Sequence, residues 1–237
     1  MPLNQVCIAE PLIMFPSSTP APGSDCREVF KTTYENRYTW DLSFNGYSGR
    51  CIWRRGKQHI EGRFNVGADL KVRVDGIDDD DVQKAVASQL WEVTIHRVRR
   101  SFDQVHKQNT FTAGETNSVG TEVIVGGKNS GDRYRIKDKV VTMVYRHIHN
   151  TAVSIFTEST IDTGSGYLSR AYTSRYVDPA TGKQLGDTNR FQDTFVPCES
   201  NPGSPWILTE RVIESSGVDN QVSNQQVFQF LDCCVTR

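Results

Sequence analysis

The sequence holds no apolar run approaching the ~18 residues of a membrane-spanning helix, no marked surplus of either charge, and no CxxC cysteine pair. The first absence argues against an integral membrane protein. Against 28 acidic residues stand 27 Lys and Arg, a net charge of −1, so no global field draws the chain to nucleic acid or an anionic surface. The six cysteines, Cys7, Cys26, Cys51, Cys198, Cys233 and Cys234, form neither a CxxC pair nor a His/Cys metal spacing. Scattered thiols in a reducing compartment fit them better than a disulfide framework. Cys233 and Cys234 would point to opposite faces of a strand, with a thioether attachment point for a prosthetic group as the alternative.

Catalytic signatures are missing as well. There is no G-x-S-x-G elbow, H-E-x-x-H helix or nucleotide fingerprint. Gly126-Gly127-Lys128-Asn129-Ser130-Gly131 imitates a phosphate loop, but a strand pattern follows it where a helix is required, so it reads as a hairpin turn. Glu92, Glu122 and Glu158 are not visibly paired for acid–base work.

What the sequence does contain is alternation. Its 237 residues are 37% hydrophobic, spread in short runs that suit sheets with one wet face. Residues 1–25 read as an extended arm, because Pro11, Pro16, Pro20, Pro22 and Gly23 forbid regular structure. Within the arm Leu12, Ile13, Met14 and Phe15 form a candidate partner-binding plug. Residues 26–237 read as a single domain. A helix capped by Ser24 or Asp25 buries Val29, Phe30, Thr33 and Tyr34. A hairpin turns at Arg55-Gly56-Lys57. Asp78-Asp79-Asp80-Asp81 looks like a cation site but serves better as the cap and first turn of a helix carrying Val82, Val86, Leu90 and Val93. From Thr110 onward the pattern is a meander of strands. The expected fold is mainly β (α+β): a strongly curved antiparallel sheet of about ten strands, half-barrel or barrel-like, packed on two helices.

Two constellations are candidates for binding. His96-Arg97-Val98-Arg99-Arg100 is the densest cationic run, and guanidinium forks suit carboxylates, phosphates or an acidic protein face. Arg133, Arg135 and Arg146 recur on neighbouring strand patterns. His147 and His149, two apart on a predicted strand, would share a face as in cupin-type metal sites. A third ligand is missing nearby, so a polar stripe is the preferred reading and no metal is expected.

Several blocks between Tyr34 and Asp178 resemble a cyanobacterial and plastid family, domain of unknown function 3386. They include Tyr34-Glu35-Asn36-Arg37-Tyr38-Thr39-Trp40, Gly62-Arg63-Phe64, the 96–100 run, Gly131-Asp132-Arg133-Tyr134 and Arg146-His147-Ile148-His149. The resemblance implies an oxygenic phototroph and brings no established activity or catalytic residues. It leads to the expectation of a non-catalytic accessory or linker protein of a phycobilisome, in a plastid stroma or cyanobacterial cytoplasm, with the stromal thylakoid surface as a further setting. Such a protein would dock on protein subunits of the light-harvesting assembly through its arm and Arg-rich face. No cofactor is expected, although a bilin or other tetrapyrrole is conceivable. The order of elements also looks like the half-barrel of periplasmic lipoprotein carriers. The alternative function is therefore a carrier or lyase-like binder of a tetrapyrrole or small apolar lipid on the concave face of the sheet.

Overall fold

A computed structural model describes residues 25–199, 201, 203–217 and 222–236. Leu12, Ile13, Met14 and Phe15, with nearly all of the expected arm, lie outside the described residues.

Helix α1, Cys26–Glu35, starts where Asp25 accepts the Arg27 amide at 2.9 Å, and it buries Phe30 and Thr33. The hairpin β1 (Tyr47–Arg55) and β2 (Gln58–Val66) turns at Gly56, and β3 (Val72–Asp75) pairs with β2. Helix α2, Asp80–Arg97, and the short α3, Phe102–His106, then carry the chain to the far side of the sheet. There begins a nine-strand meander in which each strand pairs with the next: β4 (Asn109–Asn117), β5 (Gly120–Gly127), β6 (Arg133–Lys137), β7 (Val140–Ile148) and β8 (Thr151–Asp162). It continues through β9 (Tyr167–Val177), β10 (Gln184–Pro197), β11 (Trp206–Ser216) and β12 (Val222–Val235), whose last strand pairs antiparallel with β1.

The expected strongly curved half-barrel or barrel of about ten strands on two helices is corrected by this topology. The sheet has 12 strands in the order β3-β2-β1-β12-β11-β10-β9-β8-β7-β6-β5-β4, and its two ends do not pair. It is one open antiparallel sheet, neither closed nor strongly curled, with three helices among the described residues. Closure depends on whether β3 meets β4, and no local pattern encodes that meeting.

The helices form two packets on the sheet. Under α2 lies a large core in which Val82, Val86, Leu90 and Val93 join Trp53, Phe64, Phe195, Phe228 and Phe230. Under α1 and α3 lies a second, where Phe30 and Phe102 join Val123, Val125, Tyr134 and Ile136. At the start of α2 the Asp79 carboxylate accepts the Asp81 and Val82 amides at 3.0 and 3.1 Å, so the acidic run is a helix cap. Asp79→Ala removes both bonds and is expected to cost about 1 kcal/mol, read as a lower urea midpoint at unchanged slope.

Candidate functional site

Between the packets runs the linker 36–40, and hydrogen bonds staple it across the sheet. Tyr167 N–H donates to Asn36 O and Tyr38 N–H to Tyr167 O, both at 2.9 Å. Trp40 N–H reaches Arg97 O at 2.9 Å, its indole N–H reaches Trp206 O, and the Tyr38 hydroxyl accepts from the Trp206 amide. Gly166, at φ +125°, makes the approach possible: a Cβ there would lie 2.6 Å from Asn36 O. Arg37 is thereby fixed beside β9, and the C-terminus of α2 beside Trp40.

On α2, Gln89, Glu92 and His96 follow one another at i, i+3 and i+7 and form a polar stripe beside the apolar one. This stripe meets charged residues rising from the sheet. On β10, Phe191, Asp193 and Phe195 alternate toward α2, and Asp193 pairs with Arg211 of β11 in the strand register. Arg211 donates to both Asp193 oxygens, from Nε at 2.7 Å and Nη2 at 2.6 Å, while Nη1 reaches Gln89 at 3.1 Å and Glu92 at 3.2 Å. The Tyr172 hydroxyl accepts from Arg211 at 2.9 Å and donates to Glu92 at 3.2 Å. Burial pushes the Tyr172 hydroxyl well up, and it pushes the Asp193 carboxyl up against the pull of Arg211. Arg211 remains charged, because Tyr172, Asp193 and Glu92 outweigh its own desolvation.

Beside this satisfied network sit cations without such partners. Arg97 donates from Nη1 to Tyr38 O at 3.2 Å, stands 5.5 Å from the Phe195 ring centroid, and has a buried Nε with no hydrogen-bond partner. Arg37 donates to Tyr34 O and stacks 3.8 Å over the Tyr34 ring. Among the described residues neither guanidinium forms an ion pair, whereas Arg211 has two. Desolvation, with Arg37 adding repulsion, lowers Arg97 to about 10. His96 is open to solvent, yet desolvation leads the causes that lower it to about 4, ahead of the Arg97 charge. Arg97 thus ends α2 against the linker, with its guanidinium between Tyr38 O and the Phe195 ring.

The other sequence candidates go elsewhere. Arg99 is exposed and reaches Thr39 Oγ1 at 3.3 Å, and Arg100 is exposed. Arg133 pairs with Glu122 at 3.3 Å, and Arg135 with Glu115 at 2.8 Å. Arg146 and His147 both turn to the buried Asp132 carboxylate, at 3.5 and 3.2 Å. The expected shared face of His147 and His149 is corrected: β7 ends at Ile148, and His149 lies in the turn at φ +55°. Among the described residues no group of three or more His, Cys, Asp or Glu is placed to hold a metal. Asp193, Arg211, Tyr172 and Arg37 are the site residues the site reading overlooked. A charged residue at an inward position of an alternating strand, as in Phe191-Gln192-Asp193-Thr194-Phe195, was the available signal for Asp193.

No curated protein matches the chain. Among solved structures, a LolA superfamily protein from Nitrosomonas europaea aligns at 10% identity and TM-score 0.36, covering 91% of this chain and 95% of that one. A putative outer membrane lipoprotein-sorting protein domain from Vibrio parahaemolyticus aligns at 6% identity and TM-score 0.35, covering 89% and 92%. Superpositions this loose carry no argument about ligand or activity. The expected phycobilisome, plastid and thylakoid setting has no support in either match and is not retained. No helix among the described residues is long and apolar enough to cross a membrane. The family match spans residues 21–235, well beyond the 34–178 stretch that carries the sequence resemblance. The chain belongs to the family described as protein of unknown function, DUF3386.

Proposed function

We propose that this protein is a non-catalytic carrier of an amphiphilic small molecule of the lipid or tetrapyrrole class, held between the helix layer and the open sheet. The observation that carries the reading is the division of the helix layer into two packets, α2 over one core and α1 with α3 over another. Tyr172, stacked on Phe191 with centroids 4.7 Å apart, and Phe195, buried beneath Arg97, are the aromatic groups such a ligand would meet beside the polar stripe of α2. That combination of apolar surface with a few fixed polar groups is what small-molecule sites use.

Native mass spectrometry of protein purified from cells is expected to show a stoichiometric adduct, with visible absorbance if it is a tetrapyrrole. Titration with a fluorescent fatty-acid analogue is expected to saturate at one molecule per chain. A bare protein that gives no saturable signal with either class of probe would remove the reading.

A further inference from the structure

We infer that the helix side of strands β8 to β10 is a docking surface for this chain's own residues Leu12 to Phe15, which cover the sheet between the two helix packets. The inference does not depend on the carrier reading.

The sheet register defines the surface. Arg146 of β7 pairs with Val153 of β8, Val153 with Tyr176 of β9, and Tyr176 with Leu185 of β10, so the four stand in one row and share a face. Ile148, two residues beyond Arg146 on β7, joins them on that face. It is the helix side, because Tyr176 lies four residues along β9 from Tyr172, whose hydroxyl meets Glu92 of α2. Apolar residues on the helix side of a sheet ordinarily form its core. Ile148, Tyr176 and Leu185 are nevertheless 43%, 46% and 39% exposed, while Val153 of the same row is buried. An apolar patch left open on that side marks a surface made to be covered.

Chain length and path identify what covers it. The residues before Asp25 include Leu12-Ile13-Met14-Phe15, four large apolar side chains set off by Pro11 and Pro16. They lead into the first turn of α1, where the Arg27 guanidinium stands 5.9 Å from the Phe111 ring centroid on β4. Phe111 lies level with the patch along the strands. It pairs with Val125 of β5, the Val125 amide donates to Asp132 O, and the Asp132 carboxylate meets Arg146, the first member of the row. Across the sheet from β4 to β9 the distance is roughly 24 Å, at ~4.8 Å per strand. Phe15 and Leu12 lie 10 and 13 residues before Asp25, a reach of roughly 33–45 Å for extended chain. The segment reaches the patch with slack, and residues 16–24 carry no charge to set against Arg146 on the way. A tethered segment meets its own domain at an effective concentration on the order of millimolar. A second copy or a separate partner lacks that advantage.

Hydroxyl-radical footprinting of the full chain, read by mass spectrometry, tests the assignment because it reports the exposure of individual side chains. Leu12→Asp with Phe15→Asp is expected to raise oxidation of Tyr176 and Leu185 at least threefold, while Trp91, 55% exposed on α2, is unchanged. In the reverse direction, Tyr176→Asp with Leu185→Asp is expected to raise oxidation of Met14 at least threefold. Equal oxidation of Tyr176 and Leu185 in the unaltered chain and in the Leu12/Phe15 variant would overturn the inference, since the patch is then bare or covered by something else. Protection lost on tenfold dilution would also overturn it, because the covering segment would then come from a second chain. Tyr176 and Leu185 belong to neither core. Should their substitution nonetheless prevent folding, the Leu12/Phe15 variant decides the matter.

Discussion

Asp193→Ala is expected to lower the free energy of unfolding by about 3–5 kcal/mol, the range for removing one partner of a buried ion pair. The side chains of Asp193 and Arg211 are each 2% exposed. Removing the carboxylate strips Arg211 of its two shortest bonds and leaves the charge in place under α2. Two of its remaining contacts, Gln89 and Tyr172, are uncharged, and Glu92 at 3.2 Å is 35% exposed and therefore partly screened. The paired change Asp193→Leu with Arg211→Met exchanges the ions for apolar volume and is expected to recover most of the loss. Tyr172 keeps its bond to Glu92 in that variant. Urea denaturation of the two single variants and the double variant gives the coupling energy. A loss below about 1 kcal/mol for Asp193→Ala would show that the pair is not desolvated as its geometry implies.

That network also shows where sequence reasoning reaches and where it stops. The α2 helix was legible because three local signals agree: an acidic cap, apolar residues at 82, 86, 90 and 93, and a basic last turn. Most strands were legible from their alternation. Strand β4, Asn109–Asn117, is the faintest part of the meander read from Thr110 onward, because an edge strand with two mostly exposed faces has little apolar pattern to read, and Gly114 interrupts it. The edges of the sheet, and so the difference between an open sheet and a barrel, are set by pairings across the whole chain. The same limit applies to the site. The cationic run 96–100 announces itself as consecutive residues, yet the structure packs only Arg97 against the linker and leaves His96, Arg99 and Arg100 exposed. Arg211 and Asp193 lie 18 residues apart and meet through the β10–β11 register. Arg37 joins Arg97 because Gly166 lets the linker touch β9.

A second large effect belongs to the smaller core and to pH. His106 is buried among aromatic rings, with Phe102 at 4.7 Å, Tyr34 at 5.3 Å, Phe111 at 5.5 Å and Phe30 at 5.6 Å between centroids. Its Nδ1 lies 3.1 Å from the Asn109 amide nitrogen, whose other hydrogen goes to Asn129 Oδ1, so Nδ1 accepts and the neutral ring carries its proton on Nε2. Protonating Nδ1 would set a donor against a donor. The charged groups around the ring are Arg146, Arg37 and Arg27, opposed by Asp132. Desolvation first and these arginines second lower His106 to about 4. The unfolded chain, titrating near the ordinary ~6.5, binds this proton more readily than the folded one. The stabilisation is therefore complete above ~6.5 and is lost as pH falls from there toward about 4. Over the whole window the loss is on the order of 3 kcal/mol from this one group. Carboxylates titrate in the lower part of the same window, so the quantity to read is the difference between proteins. Stability measured in urea at pH 7 and pH 4.5 is expected to fall more steeply for the unaltered chain than for His106→Phe. The variant should start lower at pH 7, because Asn109 loses its acceptor, and should lose less on acidification. Equal slopes for the two proteins would mean that the ring is not held neutral by its surroundings.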